Sequence, residues 1–261
     1  MGVIEAIKKG FGVAAKYRGL VLVLVVFNLV WNLASIPFVN QAAAPELSPI
    51  AALLSIFFIL ISVFIQSGSL ALVRDFVKEG KTTLSNFVKY GTSYYLRLLG
   101  LGILIILLIS IIGLVVALVV IATAPLNNTV VTVIAALIAI ALGAVGLYYI
   151  LLLILSPYII VCEELGVIEA MKRSIKIVRR SIGKILLLLV VLILISMALG
   201  FLIGLLTGIL TLAFPAGAGQ IVIAIVNSLF NGYLGIVMMA SFMVFYLGLI
   251  EKEKTSAQKV F

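Results

Sequence analysis

The sequence has no histidine, a single cysteine and only nine acidic residues in 261. The absence of histidine removes the commonest general base and the commonest zinc ligand. Cys162 cannot form an internal disulfide, and without a histidine to activate it we expect a structural thiol rather than a nucleophile. The sequence also lacks a P-loop and a dinucleotide-binding glycine motif. We therefore predict that the protein is not an enzyme and holds no metal and no cofactor.

Charged residues are scarce as well. They make up 10% of the chain, whereas hydrophobic residues make up 65%, well above the roughly 45–50% of soluble domains. The net charge of +9 is not gathered into a basic domain with interleaved aromatic residues, so we predict no nucleic-acid partner. This composition indicates an integral membrane protein.

Six apolar runs exceed or approach the roughly 20 residues that a bilayer-spanning helix needs. They predict an all-α, polytopic membrane protein with transmembrane helices over residues 19–36, 48–73, 98–124, 130–161, 185–213 and 220–250. A signal peptide is the alternative for the first run, because basic residues precede it and Ala42–Ala44 fits a small-residue cleavage site. The run is long for the apolar part of a signal peptide, which favours a membrane span.

Residues 166–184 combine an apolar stripe with a basic face. The stripe recurs at helical spacing in Ile168, Met171, Ile175, Val178 and Ile182. A helix of this composition is typical of the headgroup layer of an anionic leaflet. We predict that anionic lipids contact basic residues of this helix and of a related helix near the N-terminus, namely Lys8, Lys9, Lys172, Arg173, Lys176, Arg179 and Arg180.

The two basic helices are related by an internal repeat. Gly2–Ala6 recurs as Gly166–Ala170, and Lys8–Lys9 recurs as Lys172–Arg173, at a constant offset of 164. A fainter match lies at an offset of 81. We predict a single domain, 1–261, of three hairpin repeats that each begin with a basic interfacial helix, over residues 2–73, 74–161 and 164–250.

Local signals predict where the helices begin, turn and kink. A turn is expected at Glu79–Lys81, followed by Thr82 or Thr83 as the N-cap of a short helix. Three apolar residues of that helix are expected to face inward: Leu84, Phe87 and Val88. Pro157 is expected to kink the fourth span and free the carbonyl of Leu153. Glu169 is expected to pair with Lys172 and Arg173.

The eighteen lysines and arginines follow one rule of orientation. Four precede the first span, five lie in residues 74–97, six in 172–184 and three after residue 250. Of the nine acidic residues, only Glu46 lies in a loop of the opposite side. The positive-inside rule therefore predicts a protein of the cell membrane with both termini in the cytoplasm.

Away from their ends, the spans contain no ionisable Asp, Glu, Lys, Arg or His, which argues against an ion-coupled carrier. Neutral polar residues do occur at depth on shared helical faces: Asn28 and Asn32; Ser62, Gln66 and Ser69; and Asn227 and Asn231. One interpretation is that they tie the first, second and sixth spans together by hydrogen bonds. The other is an intramembrane ligand site.

Two spans carry stripes of small residues at a spacing of four. These are Gly200, Gly204 and Gly208 on the fifth span, and Ala135, Ala139 and Gly143 on the fourth. Such stripes let helices approach closely. We expect the partner helix to lie within the chain, and a second copy is the alternative.

Residues 155–174 carry the most specific motif. An apolar helix ends in a proline, an acidic-glycine turn follows, and the next helix reads E-A-x-x-x-S, through Pro157, Glu164, Gly166, Glu169, Ala170 and Ser174. The segment resembles the recurrent element of a six-helix membrane domain found beside some glycerophosphodiester phosphodiesterases, and of related prokaryotic membrane families. The sequence contains no phosphodiesterase domain. The resemblance therefore implies a six-helix membrane fold and a link to lipid or envelope biology, without the catalytic activity.

Three functions fit this sequence. The first is a non-enzymatic protein of the cytoplasmic membrane that binds lipids or amphiphiles through its helix bundle and its basic interfacial helices. The second is a permease or channel component, serving a separate cytosolic motor through residues 166–184. The third is a scaffold or assembly subunit. Membrane lipids are the expected partners, and a protein partner or a homo-oligomer fits each function.

Overall fold

The computed structural model describes residues 2–38, 48–123, 128–214 and 216–258. Of this part of the chain, 94% is helical and none is in a strand. Its α-helices are α1 (Val3–Lys16), α2 (Arg18–Ser35), α3 (Ser48–Glu79), α4 (Phe87–Thr123), α5 (Thr129–Leu153), α6 (Ser156–Glu163), α7 (Val167–Ala213) and α8 (Ala216–Gln258). The predicted loop 39–47, with its Ala42–Ala44 segment, and residues 124–127 lie outside the described residues.

Among the described residues, six helical segments are long and apolar enough to cross a membrane. They are Arg18–Ser35, Pro49–Glu79, Leu84–Thr123, Thr129–Glu163, Val167–Leu212 and Gly217–Glu253, with mean hydropathies from 1.7 to 3.5. A helix satisfies its backbone hydrogen bonds within itself, which hydrocarbon requires. The prediction of an all-α, polytopic membrane protein is confirmed.

Two helices are longer than predicted because an amphipathic segment and the span after it form one helix. α4 runs from Phe87 into its span, and α7 runs from Val167 through non-helical dihedral angles at Ser181 (φ −130°, ψ 22°). The predicted turn before α4 is present, with Gly80 at φ 74°. Thr83 occupies the cap position of a 3-10 turn but makes no side-chain cap hydrogen bond.

The predicted inward face at the start of α4 is wrong for two of its three residues. Phe87 is buried, whereas Leu84 and Val88 are 43% and 62% exposed. An exposed apolar side chain of a membrane protein can contact lipid tails that are as apolar as leucine. Apolarity therefore does not identify the face that packs against protein.

The break predicted at Pro157 is confirmed. α5 ends at Leu153, and α6 begins at Ser156 with Pro157 in its first turn, where the missing N–H would be unpaired in any helix. The neighbouring Leu152 carbonyl accepts a hydrogen bond of 2.7 Å from the Ser174 hydroxyl. A side chain of α7 thus satisfies a backbone group at the break.

The chain forms two compact units. The first contains residues 1–95 and 183–261, and in it α8 packs against α1, α2 and α3. Gly232 permits close contact between α8 and α2, because a Cβ there would lie 2.8 Å from the backbone nitrogen of Val25. The second unit contains residues 96–182. The single domain with three repeat units stays a prediction.

The amphipathic segments of the three predicted repeats bury corresponding positions. At offsets of 0, 81 and 164, the buried residues are Ala6, Gly10 and Val13; Phe87, Gly91 and Tyr94; and Ala170, Ser174 and Ile177. The helix interruptions at Tyr17 and Ser181 are also 164 residues apart. The three segments therefore share a register of burial, and the internal repeat stays a prediction.

The apolar stripe predicted for α7 is only in part its buried face. Val178 is buried, but Ile168 is 55% exposed, and Met171 and Ile175 are half-buried. The most buried face lies one residue round the helix, at Ala170 and Ser174. Small side chains allow the close approach that brings Ser174 within hydrogen-bonding distance of Leu152.

Candidate functional site

An apolar groove of about 610 Å³ runs between α2 and α3. On α2 the groove follows Leu22, Val26 and Val30, whose spacing of four places them on one helical face. On α3 it follows residues with spacings of three and four, Leu54, Phe57, Phe58, Ile61 and Ile65. Its volume falls within the roughly 300–1,000 Å³ that is usual for ligand pockets.

Aromatic rings form the contact between the two walls of the groove. Phe27 of α2 stacks on Phe58 of α3 with ring centroids 5.2 Å apart and planes 8° apart. Trp31 stacks on the same ring at 4.0 Å. Offset aromatic stacking contributes about 0.5–1.5 kcal/mol per pair beyond the burial of area. This cluster sets the separation of α2 and α3 and therefore the shape of the groove.

The groove extends along most of α2, from Gly19 to Ala34. Fifteen residues of α-helix rise about 22 Å, and one leaflet supplies roughly half of the 30 Å hydrocarbon layer. Several wall residues are open to the outside, with Val26 50% and Phe57 64% exposed. The groove is therefore long enough and open enough to take an apolar chain lengthwise.

The predicted intramembrane polar residues are not among those that line this groove. Asn32 donates to Ser228 Oγ at 2.9 Å and so links α2 to α8. Asn28 and Ser62 donate to carbonyls of their own helices, Leu24 and Ile59. The others are Gln66 and Asn231, which are exposed, Asn227, which is half-buried, and Ser69, which is buried. The Asn32 bond is of the kind expected from helix-linking residues, and the polar ligand site stays a prediction.

The predicted small-residue stripes are not the places of closest packing. A Cβ at Gly204, Gly208 or Gly143 would meet no neighbouring atom within 4 Å. A Cβ at Gly91 would instead lie 2.7 Å from the ring of Phe64. Among the described residues, glycines outside the stripes therefore mediate the tight helix contacts.

Lys8 and Lys9 lie on the exposed side of α1. Lys9 Nζ is 3.1 Å from Glu5 Oε1, and the hydrogen bond and charge of Lys9 lower the pKa of Glu5. The opposite face of α1 packs against α8, where a Cβ at Gly10 would lie 2.8 Å from the Val237 carbonyl oxygen. The two predicted lysines therefore project from a helix that is held against the protein.

The five predicted basic residues of α7 divide into two environments. Lys172, Lys176, Arg179 and Arg180 are exposed. Arg173 is instead half-buried, and its Nε lies 2.6 Å from Glu163 Oε2 at the end of α6. Arg173 thus pairs with Glu163, and the expected pairing of Glu169 with Lys172 and Arg173 stays a prediction. The contact of these bases with anionic lipid stays a prediction.

Sequence reasoning missed a charged cluster at the end of α3. Arg74 Nη2 is 2.8 Å from Asp75 Oδ1, and Arg74 Nη1 donates to the Tyr94 hydroxyl at 3.0 Å. The guanidinium also lies 5.5 Å from the ring centroid of Tyr90. The two charged side chains are only 12% and 14% exposed. The i, i+4 spacing of the tyrosines was the available signal, and the cluster joins α3 to the start of α4.

The described residues contain no group of three or more His, Cys, Asp or Glu side chains that could hold a metal ion. No curated protein and no solved structure matches the chain. One family model does match, over residues 1–249, and its description is a domain of unknown function, DUF7847. The six apolar helices make the chain an integral membrane protein, and because the match covers nearly the whole sequence, the chain belongs to the DUF7847 family.

Proposed function

We propose that the protein is a non-enzymatic protein of the cytoplasmic membrane that binds a lipid or another amphiphile in the groove between α2 and α3. The observation that supports this proposal is the apolar lining of the groove from end to end. Both walls belong to candidate membrane spans, so an occupant must present an apolar chain. The lack of histidine in the sequence supports the non-enzymatic part.

The proposed orientation places both termini and the basic segments in the cytoplasm. It is supported by the confinement of all eighteen lysines and arginines to the termini and two of the five connections between predicted spans. Four exposed bases of α7 would then face the anionic cytoplasmic leaflet, where each contributes about 1 kcal/mol of attraction. The resemblance to membrane domains beside glycerophosphodiester phosphodiesterases agrees with such a role in lipid or envelope biology.

The groove is tested with a phosphatidylcholine that carries a photoactivatable group on one acyl chain. The protein is reconstituted with this lipid, irradiated and digested, and the crosslinked peptides are identified by mass spectrometry. We expect the crosslinks to concentrate in α2 and α3. Crosslinks spread evenly over all exposed spans would contradict the proposal, because they would show ordinary solvation by lipid.

A matched pair of variants makes this test specific. Val26→Trp adds a bulky ring inside the groove, at a residue that is 50% exposed. Val133→Trp makes the same change on α5, outside the groove, at a residue that is 53% exposed. We expect Val26→Trp to remove most α2 and α3 crosslinks and Val133→Trp to leave them unchanged. Equal effects of the two variants would overturn the groove as the binding site.

A further inference from the structure

A second pocket, of about 430 Å³, lies where α1 meets the ends of α3 and α8. Its polar side is lined by three lysines, Lys8, Lys9 and Lys16. The remaining wall is apolar and includes Phe76 and Val77 of α3 and Val244 of α8. Glu5 is the acidic residue of the rim, and it is already paired with Lys9. The pocket therefore combines a net positive rim with an apolar wall.

The lysines of this pocket are carried by a helix that is fixed at both ends. The inner face of α1 is buried along its length, at Val3, Ala6, Gly10 and Val13. Beyond its last residue, Tyr17 stacks on Phe76 with ring centroids 5.4 Å apart and planes 7° apart. The rim lysines therefore have a defined position relative to the apolar wall. A helix that only lies in the headgroup layer would not fix its charges in this way.

The position of the pocket along the chain matches the membrane surface. Lys16 is two residues before the candidate span Arg18–Ser35, and Phe76 and Val77 lie in the last turn of the candidate span Pro49–Glu79. Lipid headgroups occupy this depth, with phosphates above the acyl chains. Lysine binds phosphate as a compact point charge with three donors.

On the basis of the proposed lipid-binding function, we propose that the pocket formed by Lys8, Lys9, Lys16, Phe76 and Val244 binds the phosphate headgroup of one anionic phospholipid. The ammonium groups would bind the phosphate. The apolar wall would contact the acyl chains where they join the glycerol. The assignment adds a headgroup preference to a protein whose groove, by itself, selects only for an apolar chain.

Gly12 allows the pocket to be blocked without changing any charge. It lines the pocket, and a Cβ added there would meet no atom within 4 Å. Gly12→Leu therefore fills the pocket while leaving the packing of α1 intact. Ala15→Leu is the matched control, since Ala15 is an exposed residue of the same helix that does not line the pocket. Both substitutions place a good helix former in a helix.

The experiment is native mass spectrometry of the full chain in mixed micelles that contain dioleoylphosphatidic acid or dioleoylphosphatidylcholine. We expect the wild type to retain one molecule of the anionic lipid preferentially. Gly12→Leu should abolish this preference, and Ala15→Leu should preserve it. Lys8→Gln with Lys16→Gln should weaken anionic binding by about fivefold per lysine removed, the effect of one basic residue near a membrane surface. The control pair Lys81→Gln with Lys89→Gln, both exposed and outside the pocket, should have little effect.

Other results would overturn the assignment in distinguishable ways. Equal losses from the two lysine pairs, with no effect of Gly12→Leu, would show diffuse attraction to a basic surface. Displacement of the lipid by an equal concentration of inorganic phosphate would show a site for soluble phosphate. Retention of an acidic protein in place of lipid would show a protein-docking surface.

The groove and the pocket can fail separately. If Val26→Trp leaves phosphatidylcholine crosslinking unchanged while Gly12→Leu removes the anionic preference, the assignment of the groove as a lipid site is wrong. The assignment of the pocket as a headgroup site then holds. If Val26→Trp removes the crosslinks while Gly12→Leu has no effect, the assignment of the groove as a lipid site holds. The assignment of the pocket as a headgroup site is then wrong.

Discussion

Two basic helices 164 residues apart, α1 and the first part of α7, bury the same positions by different chemistry. Gly10 has no side chain, and the backbone of α8 comes so close that a Cβ would lie 2.8 Å from the Val237 carbonyl oxygen. The equivalent Ser174 keeps its side chain and donates to the Leu152 carbonyl at 2.7 Å. A glycine at this position permits close contact between helices, whereas a serine adds a hydrogen bond to a backbone carbonyl of a neighbouring helix.

The basic faces of the two helices differ as well. Lys9 of α1 pairs with a residue one turn earlier on its own helix, Glu5, and both remain more than half exposed. Its counterpart at the same offset, Arg173, pairs with Glu163 of α6 and is half-buried. A conserved spacing of basic residues within one chain therefore does not imply that each base has the same partner or the same access to lipid.

The largest expected effect is on cysteine labelling from outside the cell. Each of the two helices should be either fully accessible or fully inaccessible to the reagent. In a background with Cys162→Ala, we would introduce Ala15→Cys in α1, Lys176→Cys in α7 and Thr129→Cys at the start of α5, all at exposed positions. If both basic helices are cytoplasmic, a membrane-impermeant maleimide added to spheroplasts should label only Thr129→Cys.

Permeabilised cells provide the control, since all three cysteines should then react. Labelling of one basic helix but not the other in intact spheroplasts would place the two repeats in opposite orientations. That outcome would contradict the equivalence of α1 and the first part of α7, because the two helices would face opposite leaflets.

The sequence was sufficient for the helical spans, because length and apolarity alone decide what can cross hydrocarbon. It was not sufficient for the buried faces. In a lipid environment Ile168 can remain 55% exposed, while the small residues Ala170 and Ser174 mark the packed face. Hydrophobic periodicity therefore identified the helix but placed its buried face one residue away from the observed one.

The groove and the Arg74 cluster were missed for a related reason. Phe27 and Phe58 look like ordinary span residues until α2 and α3 are placed side by side. Likewise, Arg74 and Asp75 lie in a stretch of mixed charge in the sequence, whereas in the structure their side chains are only 12% and 14% exposed and Arg74 donates to the Tyr94 hydroxyl. Contacts between residues that are distant in sequence depend on how the helices pack, which local spacing alone does not specify.

The next largest effect is expected from Gly10→Ala. The added Cβ would contact Ser241 Oγ and the Val237 carbonyl oxygen, and a backbone atom cannot move aside without displacing α8. Overpacking of this kind costs about 1–3 kcal/mol, and SDS-driven unfolding in mixed micelles would measure it. Gly12→Ala is the control, because it meets no atom within 4 Å and should be neutral or stabilising. Equal stability of the two variants would show that α1 is not packed tightly on α8.

Ser174→Ala should have a smaller effect, of about 1 kcal/mol, since it removes one hydrogen bond from a buried site. The same unfolding assay would measure it, with Ser62→Ala as the control, because Ser62 donates to a carbonyl of its own helix in a less buried place. A loss from Ser174→Ala as large as that from Gly10→Ala would mean that the two contacts depend on the same close packing, and the distinction between them would disappear.

The smallest effect is expected from the ion pair of α1. Glu5→Gln should leave the free energy of unfolding at pH 7 unchanged within error, because both partners are more than half exposed. Glu163→Gln should cost more, since it leaves the half-buried Arg173 without the Glu163 carboxylate.

Lys9 lowers the pKa of Glu5 below 4.5, so any stabilisation from that pair is present above this pH and is lost as the pH falls through the lowered pKa. For this exposed pair the stabilisation is within error, so wild type and Glu5→Gln should show the same free energy of unfolding from about pH 7 to pH 5. A Glu5→Gln loss that equals the Glu163→Gln loss at pH 7 would contradict this ranking and show that the exposed pair also holds its helix in place.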